Sequence, residues 1–578
     1  MAVSTGKAMR NLWKVGALGA VFGAVLSVGG CSDFDAAYEN CQGEGRCGPQ
    51  ASGDGGADAG DAGDGGDVTP PPCGDGGVDY PDLTGFDNDC DGIDGVADAG
   101  YFVHPTDGRD DGNDGTRERP FQTLARALRE IRDGGTGRNI VYLGTGTYNE
   151  AAPAVDMPVS LYGGYTWRGN QFWDRFKDGG GTTFFDGGTL AFTVRDTTDA
   201  EVVLDSLHIA SANAPNAGEP SIAVRVIRAS AVRFSNTIVE AGQGGRGTEG
   251  ADGDGGSAGH DGGTGENATG PTPGYRGSSG AAPTCAFSTA NAGGNGGTGK
   301  AGSAGTPGEV GAPNTPGGRA GVVGQKVDAG NNISTCVGGA GADGDAGVAG
   351  APGDAGTAGS GMGVIDPVQV TWQMLAQQMG SAGAAGKPGA GGGGGGSGGA
   401  CAEDIHPSQI GAAGGGGGGG SGGCGGQQGT GGGGGGASIA VLLLQADVTV
   451  SNDSKLTTHG GGNGGAGTQG GGGGEGGLGG SPGLRSDLRV DAGSNESYFT
   501  YGGFSGRGGN GGSGGQGGPG GGGAGGPSIG VWCLLDAGVT VDESSSVSPG
   551  NGGEGGASTG NRGSTGTQAP TFDCRTTP

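Results

Sequence analysis

Apolar positions are unevenly spread along the chain, and one short pattern occurs three times, beginning at Pro220, Ala437 and Pro527. The first copy reads Ser221-Ile222-Ala223-Val224-Arg225-Val226-Ile227, then Ala231-Val232-Arg233-Phe234, and opens into Gly242-Gln243-Gly244-Gly245. The second reads Ser438-Ile439-Ala440-Val441-Leu442-Leu443-Leu444, then Asp447-Val448-Thr449-Val450, and the third Ser528-Ile529-Gly530-Val531-Trp532-Cys533-Leu534, then Gly538-Val539-Thr540-Val541. Each copy is two β-branched runs around a polar corner, which predicts two short strands. One such unit cannot bury its apolar face alone, so the copies must stack on one another. The expected fold is all-β, a column of strands and corners whose loops have grown into glycine-rich excursions.

Upstream, Tyr101–Val103 reads as a strand, Asp107–Gly115 as an acidic loop and Pro120–Arg132 as a helix with Phe121, Leu124, Leu128 and Ile131 on one face. Pro120 suits the first helical turn, and Gly134-Gly135 ends it. Ile140–Leu143, Val159–Tyr162, Phe184-Phe185, Leu190–Val194 and Val202–Ile209 supply further strands. Met362–Met379 is an isolated strand or helix docked on the stack, with neighbours that local pattern does not name.

The excursions have their own period. Glycine falls at every third residue from Gly244 to Gly265, Gly293 to Gly311, Gly338 to Gly359, Gly461 to Gly479 and Gly508 to Gly526. Period three suits an extended threefold helix whose glycine edge lets backbones approach closely. Collagen needs many prolines and three continuous chains, and 27 prolines in 578 residues fall short. The expectation is polyglycine-II-like packing within the chain, with amides and carbonyls as cross-links; the alternative is a disordered glycine coil. The tracts resemble the polymorphic glycine-rich repeats of certain bacterial surface proteins.

Composition narrows the function classes. Glycine supplies 156 residues and only 32% of the chain is apolar, so a minority of segments makes the core. The net charge of −29 argues against a nucleic-acid partner, which needs clustered Lys and Arg. Lys7, Arg10 and Lys14 precede an apolar run from Val15 to Val28 that has the layout of an export signal. Val28-Gly29-Gly30-Cys31 resembles the lipobox of bacterial lipoproteins, which implies cleavage before Cys31, a lipid anchor on Cys31 and attachment to a membrane. Ser32 resembles the residue found in lipoproteins sent to the outer membrane. An ordinary secretory signal is the alternative. Ten cysteines besides Cys31 fit an oxidising compartment. Sequence neighbours suggest Cys41–Cys47, Cys73–Cys90, Cys285–Cys336, Cys401–Cys424 and Cys533–Cys574, with Cys533 alternatively a buried thiol.

From Gln42 to Pro72 the chain is Gly, Asp, Ala and Pro, too polar to offset ordering entropy, and reads as a tether. Asp87-Asn88-Asp89-Cys90-Asp91-Gly92-Ile93-Asp94 then sets carboxylates at alternate positions, with a glycine for the turn and the Ile93 carbonyl beyond it. Asp87, Asp89, Asp91, the Ile93 carbonyl and Asp98 are candidate ligands for Ca²⁺, a hard cation that takes oxygens converging on one point. Asn88–Asp94 resembles a short metal-binding motif of bacterial surface proteins. Asp98 replaces the usual bidentate Glu, and a solvated acidic turn is the alternative.

Gly115-Thr116, Pro120-Phe121-Gln122-Thr123, the helix, the next strand and Gly146-Thr147-Tyr148-Asn149-Glu150 together resemble the opening segment of right-handed parallel β-helix proteins in the pectin-lyase-like superfamily, as does Leu161-Tyr162-Gly163-Gly164-Tyr165. The resemblance implies a β-helix whose first rung is covered by the helix. Its enzymes commonly cleave acidic polysaccharides with Ca²⁺-binding carboxylates and an arginine base. Here Arg195, Arg225, Arg228 and Arg233 are the basic residues near the cassettes, and no acidic cluster is expected on their faces. Gly511-Gly512-Ser513-Gly514-Gly515 and Gly419-Gly420-Ser421-Gly422-Gly423 match a nucleophile elbow in letters only, without its strand and helix. The five histidines show no paired ligand spacing, and strand parity sets Asp205 and His208 on opposite faces.

The expected organisation is a signal peptide (1–30), tether (31–72), acidic motif (73–100), first rungs (101–241), glycine-rich insertion (242–436), a rung (437–460), a second insertion (461–526) and a last rung with its cap (527–578). The expected function is that of a lipid-anchored envelope protein with a structural, adhesive or interaction role, non-enzymatic, whose partners are envelope or extracellular glycans or proteins. The alternative is a polysaccharide-binding or polysaccharide-cleaving β-helix.

Overall fold

The computed structural model describes residues 79–134, 137–168, 172–175, 181–198, 200–331, 333–401, 409–491 and 497–575. The chain divides into two units, Met1–Pro70 and Pro71–Pro578. The first, with Cys31, Cys41, Cys47 and the tether, lies outside the described residues, as do Cys73 and His406.

Nearly all regular structure is β, and most of it is parallel. One sheet runs through Gly100–Val103, Ile140–Gly144, Ser160–Trp167, Val202–Asp205, Val232–Ser235, Asp447–Ser451 and Gly538–Val541. A second contains Gly146–Tyr148, Thr183–Gly187, Leu207–Ser211, Ile238–Ala241, Lys455–Thr458 and Ser546–Pro549. The third contains Ala154–Val155, Leu190–Arg195, Ser221–Ile227, Ser438–Leu444, Ser528–Leu534 and Gln568–Phe572. The chain visits the sheets in turn, so each cassette adds one strand to each. The three cassettes stack in register: Ile222 pairs with Ile439 and Ile439 with Ile529, while Val232 pairs with Val448 and Val448 with Val539. Their shared corner is left-handed at Arg228, Gln445 and Leu535, each with positive φ. Phe192, Val224, Val441 and Val531 meet Val232, Phe234, Val448, Val239 and Leu456 in one buried interior. Each such side chain contributes roughly 1.5–3 kcal/mol on burial.

The helix spans Leu124–Gly134, starting later than its apolar pattern suggests. Phe121 is engaged otherwise: its amide donates to the Phe102 carbonyl and its carbonyl accepts from the His104 amide, which extends the first strand's edge. Leu124, Ala127 and Leu128 bury against Tyr101, Val103 and Val141. The freed amides at the helix start are met from afar: the Glu150 carboxylate accepts from Leu124 and Ala125, and Asp110 accepts from Gln122 and Thr123. Residues 362–379 form a hairpin of Val364–Asp366 and Thr371–Gln373. Its Ile365, Val370 and Trp372 cover the outward face of the third sheet at Ile222, Ile439, Leu442, Ile529 and Trp532.

The glycine tracts are extended segments cross-linked through their backbones. Gly244, Gly247, Gly250 and Gly253 donate to the carbonyls of Gly460, Asn463, Ala466 and Gln469, and the series runs on to Gly265 and Ser481. Cassette pairing and tract pairing share one register: the offset of 217 residues that relates Ile222 to Ile439 also relates Asp252 to Gln469. Other tracts pair antiparallel, as where Gly465, Gly471, Gly474 and Gly477 donate to Gly433, Gln427, Cys424 and Ser421. The segment 412–436 lies deepest. Its triplet positions donate separately to 245–266, 291–297 and 506–524, and its carbonyls accept from 462–486, 380–395 and 274–280. Glycine there answers to space, because a methyl on Gly415, Gly416 or Gly417 would overlap a carbonyl oxygen of Tyr275, Gly395 or Gly480.

Cys533–Cys574 is a disulfide, as expected, but Cys285 pairs with Cys424 and Cys336 with Cys401. The expected Cys285–Cys336 and Cys401–Cys424 pairs are corrected for a physical reason: neighbouring tracts, rather than neighbouring cysteines in sequence, bring the sulfurs together. Cys285 and Cys424 are 139 residues apart, the offset at which Gly277 in the same tract faces Gly416. Cys90 is also disulfide-bonded.

Candidate functional site

The acidic loop before the first strand is fastened to the stack by an arm of Trp173–Arg175, which pairs antiparallel with Ser160–Trp167. Ile93 bridges Trp173 through the backbone. Aromatic hydroxyls hold the loop's carbonyls: Tyr165 Oη donates to Asp94 O at 2.6 Å and Tyr142 Oη to Val96 O at 2.8 Å. Arg175, fully buried, donates from Nη1 to the Asp94 carboxylate at 3.2 Å and to the Asp82 carbonyl at 2.8 Å, from Nε to the Gly163 carbonyl, and from Nη2 to Asp205. A buried guanidinium between two carboxylates is compensated only while all three remain.

The carboxylate oxygens of Asp79, Asp87 and Asp89 converge, all lying within 4.8 Å of one another. Loop amides orient them: Asp87 accepts from Gly92 at 2.9 Å, Asp89 from Asp91 at 3.1 Å, and Asp79 from Gly95 at 3.0 Å and from the Asn88 side chain at 3.1 Å. Oxygens at that separation fit a hard cation with Ca²⁺–O distances of about 2.3–2.6 Å. Asp87 and Asp89 of the expected set are thus brought together. Asp91 turns its carboxylate to the amides of Ile93 and Ala97, Ile93 lies in its bridge to Trp173, and Asp98 is exposed in the short 3-10 turn Ala97–Ala99. Asp79 was outside the alternating motif, and its signal is indirect, since the loop's own Asn88 is its hydrogen-bond partner.

The electrostatics follow from this crowding. Burial pushes the Asp89 carboxyl up, with the Asp79 and Asp87 charges adding to it. Burial also raises Asp91, helped by Asp89 and Asp87. Asp94 is pushed up to about 6 by burial, against the pull of Arg175. A divalent cation relieves that repulsion.

The other constellations resolve individually. Asp205 and His208 flank a corner at Ser206 and belong to different sheets: Asp205 faces Arg175, whereas His208 pairs with Glu240. Arg228 pairs with Asp196 and Arg233 with Glu201, both at 2.6 Å, and Arg195 with Asp156 at 3.5 Å, so each of these arginines meets a single carboxylate rather than an acidic cluster. These acids sit on neighbouring turns of the column, a proximity that linear spacing hides. Ser421 exchanges hydrogen bonds with the backbone of His260 inside the packed tracts.

No known family's sequence profile matches the chain, and no curated protein does. Among solved structures, the GH136 lacto-N-biosidase from Eubacterium ramulus is matched at 14% identity and a TM-score of 0.18, over 24% of this chain and 27% of the enzyme. The chain thus spans about a quarter of that enzyme's length, and an overlap of this size carries no argument about fold or activity.

Proposed function

We propose that the protein is a lipid-anchored component of the cell envelope, attached through Cys31 at the outer membrane, whose body is a rigid structural or adhesive element rather than an enzyme. In this reading the three parallel sheets form a right-handed parallel β-helix capped by the helix Leu124–Gly134, and the tracts are polyglycine-II-like. The observation that carries it is the register of the tracts: their amides are spent on neighbouring backbones at every third residue, while residues such as Asp345, Val348 and Ala351 stand exposed. A slab so cross-linked resists bending and presents its remaining side chains outward for envelope or extracellular glycans or proteins. The arginines nearest the cassettes are engaged with carboxylates, which suits a surface more than a base.

In the same reading, Ca²⁺ occupies the pocket of Asp79, Asp87 and Asp89 and stiffens the acidic loop before the first strand. What supports this is the convergence of three carboxylates whose mutual repulsion a cation removes.

Metabolic palmitate labelling followed by surface proteolysis of intact cells tests the anchor: label is expected on the wild type and lost in Cys31→Ala. Turnover of uronic-acid polymers by the purified chain overturns the non-enzymatic role. Calorimetry with Ca²⁺ is expected to show heat that Asp89→Asn abolishes.

A further inference from the structure

A four-stranded sheet outside the column has one open edge. Its strands lie in the order Lys326–Asp328, Ile333–Val337, Ser497–Tyr501 and Asp487–Asp491, and no further strand follows the last among the described residues. The tract that leaves the column at Gly461 runs into this last strand. The Ser486 carbonyl accepts from the Gly502 amide, while the Tyr501 carbonyl, turned the other way, accepts from the Gly338 amide. Backbone direction alternates along a strand, so Leu488 and Val490 turn back to Ser497–Tyr501. Asp487, Arg489 and Asp491 turn their amides and carbonyls to the open edge. The column's own last strands are blunted: Pro549 stands in Ser546–Pro549, Pro570 in Gln568–Phe572, and Arg575 bridges Gly538. Asp487–Asp491 carries no proline.

Its side chains form a row of alternating charge. Arg485, Asp487, Arg489 and Asp491 are two residues apart and share a face. Arg485 stands 3.4 Å from Asp487, and Arg489 stands 3.2 Å from Asp491, with Arg489 61% and Asp491 71% exposed. Aromatic rings hold both guanidiniums in place, Phe504 at 4.2 Å from Arg485 and Phe499 at 5.4 Å from Arg489. Charge of one sign on an edge strand repels a copy of itself. An alternating row does not, provided the two strands run antiparallel.

We infer that this edge pairs with the same edge of a second copy of the chain, about a two-fold axis at Leu488. Asp487 then stands opposite Arg489 of the second copy and Arg485 opposite its Asp491, so all four charges of each row meet an opposite charge. The backbone agrees, because Asp487 and Arg489 both turn amide and carbonyl outward, as a hydrogen-bonded pair requires. Moving the axis to Asp487 or to Arg489 sets like charges opposite one another. Such a contact uses each edge once and closes as a dimer. It depends on neither the lipid anchor nor the Ca²⁺ loop.

The test places a cysteine on the axis, in the full chain. Facing Cα atoms of a non-hydrogen-bonded antiparallel pair lie about 4.5 Å apart, within disulfide reach. Leu488→Cys should therefore form an intermolecular disulfide under mild oxidation, read as a doubled mass on a non-reducing gel. The wild type and Val490→Cys should not, since position 490 lies opposite position 486 of the second copy. Adding Arg489→Asp to Leu488→Cys should slow cross-linking by about tenfold or more, through like charges set face to face. Adding Asp487→Arg as well should restore it, because the row is then self-complementary again. Absence of the cross-link in Leu488→Cys, or equal cross-linking through Val490→Cys, overturns the inference. So does an Arg489→Asp variant that cross-links as fast as its parent, or one that Asp487→Arg does not rescue.

Discussion

At the scale of single residues, the glycines of the tracts and the carboxylates of the acidic loop make opposite use of close approach. Apart from Gly302, the period-three tract glycines lie outside the left-handed region, so their role is to leave room for a neighbouring carbonyl. Gly418→Ala places a methyl on the Ser278 carbonyl oxygen and should cost about 1–3 kcal/mol in a denaturant titration, whereas Gly472, with nothing near its missing side chain, should tolerate alanine unchanged. In the loop, approach is between like charges. Asp89, Asp91 and Asp94 have folded-state pKa values above their ordinary ones, that of Asp94 about 6. The folded chain therefore binds their protons more tightly than the unfolded chain does. Their contribution is present below the ordinary carboxylate range and is lost as pH rises through the folded-state values. Thermal melts in chelator should show the loop weakening from about pH 4 to about pH 6, with a smaller fall in Asp89→Asn and recovery with Ca²⁺ at pH 7 in the wild type only.

At the scale of elements, caps and corners are supplied across the chain rather than locally. The helix is recognisable from Leu124, Leu128 and Ile131, yet its first turn depends on Glu150, which lies beyond the next strands. Glu150→Ala leaves two amides without an acceptor and removes a negative charge from the helix start. The expected loss is about 1 kcal/mol, read from the denaturation midpoint. The hairpin in 362–379 shows the converse. Its apolar residues announce that it docks, but its place on Ile439 and Trp532 follows from where the excursion returns to the stack.

At the scale of the whole molecule, the column sets the register and the tracts inherit it. Between the second and third cassettes the last strands pair at an offset of 91 residues, as from Lys455 to Ser546, and the tract beyond keeps it, since Glu554 donates to Asn463 at 91 while Gly461, Gly464 and Gly467 donate to the carbonyls of Asn551, Glu554 and Ala557. Glycine density then reads as depth. Segment 415–424 uses the amides of all three triplet positions and 426–436 those of two, whereas in 347–359 every third residue is the backbone donor. Hydrogen–deuterium exchange should find Gly415–Cys424 protected at every amide, 426–436 at roughly two in three and the 347–359 stretch at roughly one in three. Uniform fast exchange in both would remove the cross-linked slab.

The sequence by itself determined the strands, the helix face, the repeated corners and the extended state of the tracts, because each is written in a local period of two, 3.6 or three residues. The cassette spacings even contained the parallel tract register, since strands locked in register leave the chain beyond them aligned. Only the tertiary structure decided which antiparallel tracts adjoin, and hence that Cys285 meets Cys424, that Asp79 joins Asp87 and Asp89, and that His208 meets Glu240. Every glycine tract offers the same donors and acceptors at the same spacing, so local chemistry cannot choose among partners. The lengths of the turns and the anchorage of both tract ends in the column make that choice.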